Sequence, residues 1–233
     1  MQRFFAEEIQ HQEAFLDAEE SKHLVKVLRL KANDQVELFD GNGKLYLAEI
    51  SQANPKKCTL HILEELEAVS KDFGIHLAVA PTKNLSRWEL FLEKATEIGI
   101  DRITPLLCDH SERKVLKRDR QLRILKSAVK QSQKLMLPQL DEMISFKELI
   151  KNSKSEAKYI AHCEESESKK RLFSIHPKNK NALILIGPEG DFSPEEIKFA
   201  EQNGFQSISI SESRLRTETA ALVALHTLHL SNA

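Results

Sequence analysis

Two segments near the C-terminal end carry residue types with chemical use. The first, Leu185-Ile186-Gly187-Pro188-Glu189-Gly190-Asp191-Phe192-Ser193, passes from an apolar run through a glycine-containing turn into a helix start. Gly187 and Gly190 permit positive φ or a close backbone approach to a ligand, and Pro188 stiffens the turn. The second runs Ile208-Ser209-Ile210-Ser211-Glu212-Ser213-Arg214-Leu215-Arg216-Thr217-Glu218-Thr219-Ala220 and crowds Arg214, Arg216 and Glu218 together after a polar loop. Such strand–turn–helix segments lie at the carboxyl edge of an open α/β sheet, where these folds receive ligands. The chemistry on offer is ligand binding through backbone groups beside a cluster of fixed charges. Neither segment ends in the Gly-Lys-Ser/Thr of a phosphate-binding loop or spells the GxGxxG of a dinucleotide site. Each alone also fits a plain connection, since Thr217 can cap a helix and Glu218 suits its first turn.

Charge supplies a third signal. Between Arg113 and Lys134 there are 9 Lys/Arg against one acid, Asp119. A solvated helix face usually mixes signs, so this density reads as the footprint of a phosphate backbone. The formal net charge of −1 hides the asymmetry: residues 1–70 hold 8 Lys/Arg against 13 Asp/Glu, which leaves 26 against 22 for residues 71–233. Asp109-His110-Ser111 has the residue types of a hydrolase triad, but adjacent residues cannot simply face one another. His226 and His229 lie one helical turn apart without a third ligand, so no metal site is expected. Cys58, Cys108 and Cys163 are odd in number and widely separated, which fits neither a disulfide framework nor paired zinc ligands and points to a reducing compartment. With 41% hydrophobic and 30% charged residues the composition is that of a globular protein. Met1 to Gln10 lacks the apolar core of a signal peptide and no stretch has the length of a membrane span, so a cytoplasmic location is expected, with no membrane partner.

The elements that position these groups follow from periodicity. Val36 to Leu63 alternates in short apolar runs around Asp40-Gly41-Asn42-Gly43, as small antiparallel strands do. A helical piece before it places Leu24, Val27 and Leu28 on one face, so the first domain reads as a compact barrel with a helical insertion. Glu64, Glu65, Glu67 and Ser70-Lys71-Asp72 form a linker, which divides the chain into residues 1–70 and 71–233. Beyond it strands at Ile75 to Ala80, Ile103 to Leu107, Lys158 to His162, Ala182 to Ile186 and Ser207 to Ile210 alternate with amphipathic helices, the pattern of a mostly parallel α/β sheet. Leu85, Trp88, Leu92, Ala95 and Ile98 mark one buried helix face, and a second helix covers about Asp119 to Leu135. Ser193-Pro194-Glu195-Glu196 predicts a capping box, Gly204 ends that helix, and the last helix spans about Thr219 to Leu230 after Thr217 as cap.

Over essentially its whole length the sequence resembles the SPOUT methyltransferases, and closely the RsmE family, which makes N3-methyluridine in 16S ribosomal RNA. Arg3-Phe4-Phe5, His23 with Val27-Leu28-Arg29, Asn33-Asp34 and Phe39-Asp40-Gly41 match its PUA-like RNA-binding domain. Glu93-Lys94-Ala95-Thr96-Glu97-Ile98-Gly99 and Gln131-Ser132 ahead of Leu137-Pro138 match its middle. Gly187-Pro188-Glu189-Gly190 and Arg216-Thr217-Glu218-Thr219-Ala220 match its end and are the most specific pair.

The resemblance implies a PUA-like β-barrel over residues 1–70 and, over residues 71–233, a SPOUT methyltransferase domain whose C-terminal stretch threads a deep trefoil knot. It implies S-adenosylmethionine as cofactor, S-adenosylhomocysteine as product, and a homodimer that completes the site. Carried over by position, Ile186, Gly187, Pro188 and Gly190 line one wall of the cofactor site, and Ile210, Ser211, Leu215 and Thr219 the other, with the loop after His162 a possible third. Arg3, Arg29, Lys83, Arg87, Arg113, Lys114, Arg118 and Arg123 are the candidate contacts to 16S rRNA in the small ribosomal subunit. Displacement at a sulfonium needs no metal, whereas uracil N3 must lose a proton. Glu189 or Glu218 is assigned to that proton and Arg216 to the developing negative oxygen or to orienting the uracil. Two positions depart from the family, which usually has Gly where this chain has Asp191 and Ser211. Asp tolerates the left-handed region better than most residues, whereas Ser211 bears on the local loop shape. A non-catalytic RNA-binding or assembly factor, and an enzyme of this fold acting on ribose 2′-OH, are the alternatives.

Overall fold

The computed structural model describes residues 1–68, 71–164 and 169–233. These form two compact units, Met1–Ser70 with Val129–Leu137, and Lys71–Ala128 with Pro138–Ala233. Ser70 of the linker lies outside the described residues, as does most of the stretch following Glu164.

The first unit contains β1 (Arg3–Phe5), β2 (Glu8–Gln10), β3 (Glu13–Phe15), α1 (Ala18–Lys22), β4 (Gln35–Phe39), β5 (Leu45–Gln52) and β6 (Thr59–Leu66). They make one sheet in the order β1-β4-β5-β6-β3-β2, antiparallel except for β1 against β4. The Asp40–Gly43 turn has the backbone its residues predict: Gly41 and Gly43 hold φ of 75° and 92°, and Asp40 Oδ1 accepts the Asn42 N–H at 2.8 Å. Phe4, Leu16, Leu24, Val36, Leu38, Ile50 and Leu60 fill the core. Val27 corrects the sequence reading. It is 66% exposed, because His23–Val27 winds as a π turn and its wider pitch rotates Val27 off the face that Leu24 occupies.

The second unit contains β7 (Ile75–Val79), α2 (Leu85–Ile98), β8 (Arg102–Leu107), α3 (Arg118–Ser132, whose last turn belongs to the first unit), β9 (Gln139–Leu140), β10 (Ile144–Ser145) and α4 (Phe146–Asn152). It continues with β11 (Ala157–Ala161), β12 (Lys170–Arg171), α5 (Leu172–Ile175), β13 (Ala182–Ile186), α6 (Pro194–Gln202), β14 (Gln206–Ser209) and α7 (Thr217–Asn232). The strand order is β10-β8-β7-β13-β11-β14-β12, with β9 beside β8, and every described pairing is parallel. Every residue of β13 is buried, which is why Ala182–Ile186 is apolar without alternation. Leu185 sits in the main cluster with Phe146, Phe192 and Phe205, where truncation to Ala costs about 2–5 kcal/mol.

Helix ends obey local chemistry. The Asn84 side chain caps α2, Gly99 ends it at φ 109°, and Trp88, Phe91, Leu92 and Ala95 form its buried face. The predicted capping box of α6 is present in both directions between Ser193 and Glu196. The second predicted helix, read to Leu135, ends at Ser132 because Gln133 turns into the left-handed region at φ 51°. Among the described residues no helix is long and apolar enough to cross a membrane.

Candidate active site

Three adjacent strands deliver the chain to one place. Ala161 of β11 pairs with Ile186 of β13 on one side and Ile208 of β14 on the other, so His162, Gly187 and Ser209 leave the carboxyl edge at the same level. The three exits surround a cavity of about 820 Å³. Of the cofactor candidates, Ile186, Gly187, Pro188, Ile210, Ser211 and Leu215 line it, as do the catalytic candidates Glu189 and Arg216. Gly190, Thr219 and Glu218 are not among its lining residues.

The first wall is tightly braced. Asp191 donates its N–H to the Pro188 carbonyl at 2.9 Å and holds φ 62°, the left-handed conformation its residue type tolerates. Its carboxylate accepts the Cys163 N–H at 2.7 Å and the Phe192 N–H at 2.9 Å, which offsets the backbone cost and ties the turn to the exit of β11. Of the two expected uses of the glycines, positive φ is not the one the backbone takes. Neither Gly187 nor Gly190 has positive φ; a Cβ at Gly187 would stand 3.1 Å from the Phe192 ring, and one at Gly190 3.1 Å from His110 Cβ. Close packing within the protein, not backbone conformation, disfavours a side chain there.

Asp109-His110-Ser111 supplies the bracing and is no triad, since its three side chains diverge. Asp109 accepts from Ser193 Oγ at 2.7 Å, the Ser111 hydroxyl accepts the Cys108 N–H at 2.9 Å, and His110 Nδ1 lies 3.0 Å from the carbonyl oxygens of both Gly190 and Asp191. Glu196 takes the Asp109 N–H at 3.0 Å in addition to its capping role, and burial raises its carboxyl above the usual range.

The second wall is looser. Ser211 to Arg214 are exposed, while Ile210 and Leu215 are half-buried. Ser211 has no positive φ, so no glycine is required there; its hydroxyl accepts the Ser213 N–H at 3.1 Å. Thr217 is not the cap of α7. Arg216 occupies that position without a side-chain bond, and Thr217, already helical and buried, donates its hydroxyl to the Gly187 carbonyl at 3.1 Å. That bond joins the two walls.

The charged candidates are held differently. The Glu189 carboxylate accepts the Lys83 N–H at 3.0 Å, and the preceding chain is clamped by Arg113, whose guanidinium donates to the Thr82 and Lys83 carbonyls at 3.1 and 2.5 Å. Glu218 is 7% exposed with Arg87 Nε at 3.8 Å. Arg216 is exposed, and no described residue bonds its guanidinium.

Cys163 and Lys169 line the cavity from the loop after His162, the third wall the resemblance implied, whereas His162 itself, Asp191 and Arg214 were not named as lining residues. His162 is 8% exposed, yet neither ring nitrogen has a hydrogen-bond partner among the described residues. Burial, aided by the Lys169 ammonium, pushes its pKa below the usual value. Nothing in its residue type announced this; only its place at the end of β11 did.

Several basic residues proposed to meet RNA are engaged elsewhere. Arg3 forms a two-pronged pair with Glu37 at 2.8 and 2.6 Å, Arg118 donates to the Leu140 carbonyl at 2.7 Å, Lys83 pairs with Glu112 at 2.7 Å, and Arg123 donates to the Asp119 carbonyl at 3.3 Å. Within the first unit Lys130 pairs with Asp17 at 2.5 Å. Arg29 and Lys114 are free of such pairs among the described residues. Among the described residues no group of three or more His, Cys, Asp and Glu is placed to hold a metal ion.

Fold and site together define a class. A family model described as an RNA methyltransferase domain matches residues 69–229, and one described as an RNA methyltransferase PUA domain matches residues 16–63. Ribosomal RNA small subunit methyltransferase E of Rickettsia conorii is 30% identical over 89% of this chain and 86% of its own, and that of Mesomycoplasma hyopneumoniae 31% identical over 97% of each. In structure, a probable rRNA-methyltransferase from Porphyromonas gingivalis superposes with a TM-score of 0.91 at 37% identity, covering 100% of this chain and 98% of that one. Ribosomal RNA small subunit methyltransferase E from Neisseria gonorrhoeae bound to S-adenosyl methionine gives 0.84 at 28% identity, covering 99% and 97%. The chain belongs to the ribosomal RNA small subunit methyltransferase E family.

Proposed function

We propose that this chain is an S-adenosylmethionine-dependent methyltransferase of small-subunit ribosomal RNA and that the atom it methylates is uridine N3 of 16S rRNA. The observation that carries the reading is the single cavity at which the exits of β11, β13 and β14 meet, bringing Glu189 and Arg216 to one opening although they are far apart in sequence. The residues fit the cofactor: a braced turn with no side chain at Gly187, apolar Ile186, Ile208, Ile210 and Leu215, and a buried histidine, His162, without a partner among the described residues. When bound, S-adenosylmethionine supplies a methyl group on a sulfonium.

Turn and loop backbone hold the cofactor, and the apolar side chains exclude water from the reacting centre. Glu189, fixed by the Lys83 N–H and backed by Arg113, is positioned to accept the N3 proton of an unstacked uracil. Arg216, with no competing partner among the described residues, meets the negative charge that develops on the base oxygen. Glu218, buried beside Arg87 and off the cavity wall, orients rather than reacts. The resemblance extends the proposal to domains over residues 1–70 and 71–233, a knotted C-terminal segment, a cytoplasmic setting and a homodimer.

The test incubates purified protein and labelled cofactor with small ribosomal subunits and with naked 16S RNA, then maps the modified nucleotide. Label on uridine N3 is expected; label on ribose 2′-OH, or none, overturns the reading. With cofactor saturating, Arg216→Ala and Glu189→Gln each lower kcat about 100-fold while the melting temperature holds, because both residues are exposed. Full turnover in either variant removes the role assigned to it.

A further inference from the structure

The buried, unpartnered imidazole of His162 is not explained by the fold. A neutral imidazole always carries one N–H and one bare nitrogen, and leaving such groups buried without partners costs about 1–3 kcal/mol. Among the described residues nothing bonds either nitrogen, although the ring is 8% exposed. Its position is central. β11 lies between β13 and β14, so His162 stands on the floor between the two walls, and it lines the cavity they enclose. Around it Ala161, Ile186, Ile208, Ile210 and Leu215 give an apolar lining beside the charged Lys169 and Asp191, whereas Glu189, Glu212, Arg214 and Arg216 sit on exposed parts of the loops.

We propose that His162 is a specificity residue that hydrogen-bonds the purine edge of the methyl donor's nucleoside. This rests on the methyl-donor reading of the cavity. A largely apolar slot with an imidazole nitrogen at its floor suits a flat base, whose edge carries a donor or an acceptor for whichever nitrogen faces it. The ring is neutral, because burial and the neighbouring Lys169 ammonium disfavour its protonation, so it offers both functions at once. Lys169 also fixes the backbone there, donating to the His162 carbonyl at 2.5 Å.

The experiment is calorimetric titration of wild type, His162→Leu and His162→Gln with S-adenosylhomocysteine and with 5′-methylthioadenosine, which lacks the amino-acid end, beside thermal unfolding of the ligand-free proteins. His162→Leu is expected to weaken both ligands about five- to tenfold and to leave the ligand-free melting temperature equal or higher, since it removes an unsatisfied polar group. His162→Gln, which restores a donor and an acceptor, is expected to recover part of the loss. Unchanged affinity in His162→Leu overturns the inference, as does a fall in melting temperature that accounts for the lost affinity. Loss confined to S-adenosylhomocysteine moves the contact to the amino-acid end and overturns the nucleoside assignment. Wild-type protein that takes up neither ligand removes the methyl-donor reading, and this inference with it.

Discussion

The two edges of the parallel sheet hold cavities of nearly equal size, about 820 Å³ at the carboxyl edge and about 870 Å³ at the amino edge, one lined by the buried His162 and the other by the half-buried His76. At the amino edge His76 Nε2 lies 2.7 Å from Thr104 Oγ1, Thr104 donates to Asp141, and Asp141 also accepts from Arg102 Nε at 2.7 Å and Gln139 Nε2 at 2.8 Å. The ionisable groups there complete one another, and the Ser153 hydroxyl alone among the buried polar atoms of that cavity lacks a partner. At the carboxyl edge neither nitrogen of His162 has a partner among the described residues. Volume therefore does not distinguish a site from a crevice; the state of the polar groups does. The amino edge is finished as protein, whereas the carboxyl edge leaves a polar group open, as the proposed cofactor site requires.

The largest effect expected from that contrast is on stability against pH. Burial, and next the Arg102 guanidinium, hold the pKa of His76 down to about 4, against an ordinary 6.5. The native state keeps this ring neutral while the unfolded chain takes up a proton below 6.5, so its contribution is full above pH 6.5 and is lost as pH falls toward 4. The loss amounts to roughly 3 kcal/mol over that window. Urea unfolding of wild type and His76→Gln at pH 7 and pH 4.5 measures it, and the variant is expected to lose markedly less. Parallel losses in both proteins remove His76 as the source.

A smaller effect separates the edges by glycine. Alanine at Gly187 puts its Cβ 3.1 Å from the Phe192 ring and 3.3 Å from the Phe192 nitrogen, and that ring is packed against Phe146 at 5.4 Å between centroids. Gly187→Ala is expected to destabilise by about 2 kcal/mol and to weaken cofactor uptake more than tenfold. At the amino edge a Cβ on Gly74 meets only the Asn181 side-chain oxygen, at 3.2 Å, so Gly74→Ala should stay within about 0.5 kcal/mol of wild type. Denaturation and calorimetry of the two variants check the pair; equal costs erase the distinction.

How far the sequence carried depended on whether a feature is local. The strand at Ala182–Ile186, the capping box of α6 and the Asp40–Gly43 turn are written in neighbouring residues, and periodicity and turn chemistry found them. The two-residue strands β9, β10 and β12 have too few residues for any period. The inclusion of Val129–Leu137 in the first unit was hidden for another reason: Leu137 donates to the Gly41 carbonyl at 2.7 Å and Gly43 to the Leu135 carbonyl at 2.9 Å, backbone bonds to which side chains give no clue. In the site, motif recognition found both walls. It could not find that Thr217 bonds Gly187, or that Arg113, one of nine cations in a basic run, clamps the Lys83 backbone. A charge run reads as a surface until its partners are seen.

The smallest effect concerns the brace outside the first wall. His110 Nδ1 is 3.0 Å from two carbonyl oxygens, Gly190 and Asp191, and two acceptors require a proton on that nitrogen, which sets the tautomer. The bonds are solvent-exposed, so water replaces them at little cost and a net contribution of about 0.5–1 kcal/mol is expected. What they supply is direction: with the Asp191 carboxylate pulling the same turn toward Cys163, they keep its backbone in a single shape before any ligand arrives. His110→Ala should therefore weaken cofactor binding about threefold and move the melting temperature little, and His110→Asn, whose amide nitrogen falls near the place of Nδ1, should restore the binding. Amide exchange over Gly187–Phe192 supplies an independent readout, faster in the Ala variant and near wild type in the Asn variant. If the Ala variant binds as wild type does, the turn keeps its shape without His110, and the tie from Asp191 to Cys163 is sufficient by itself.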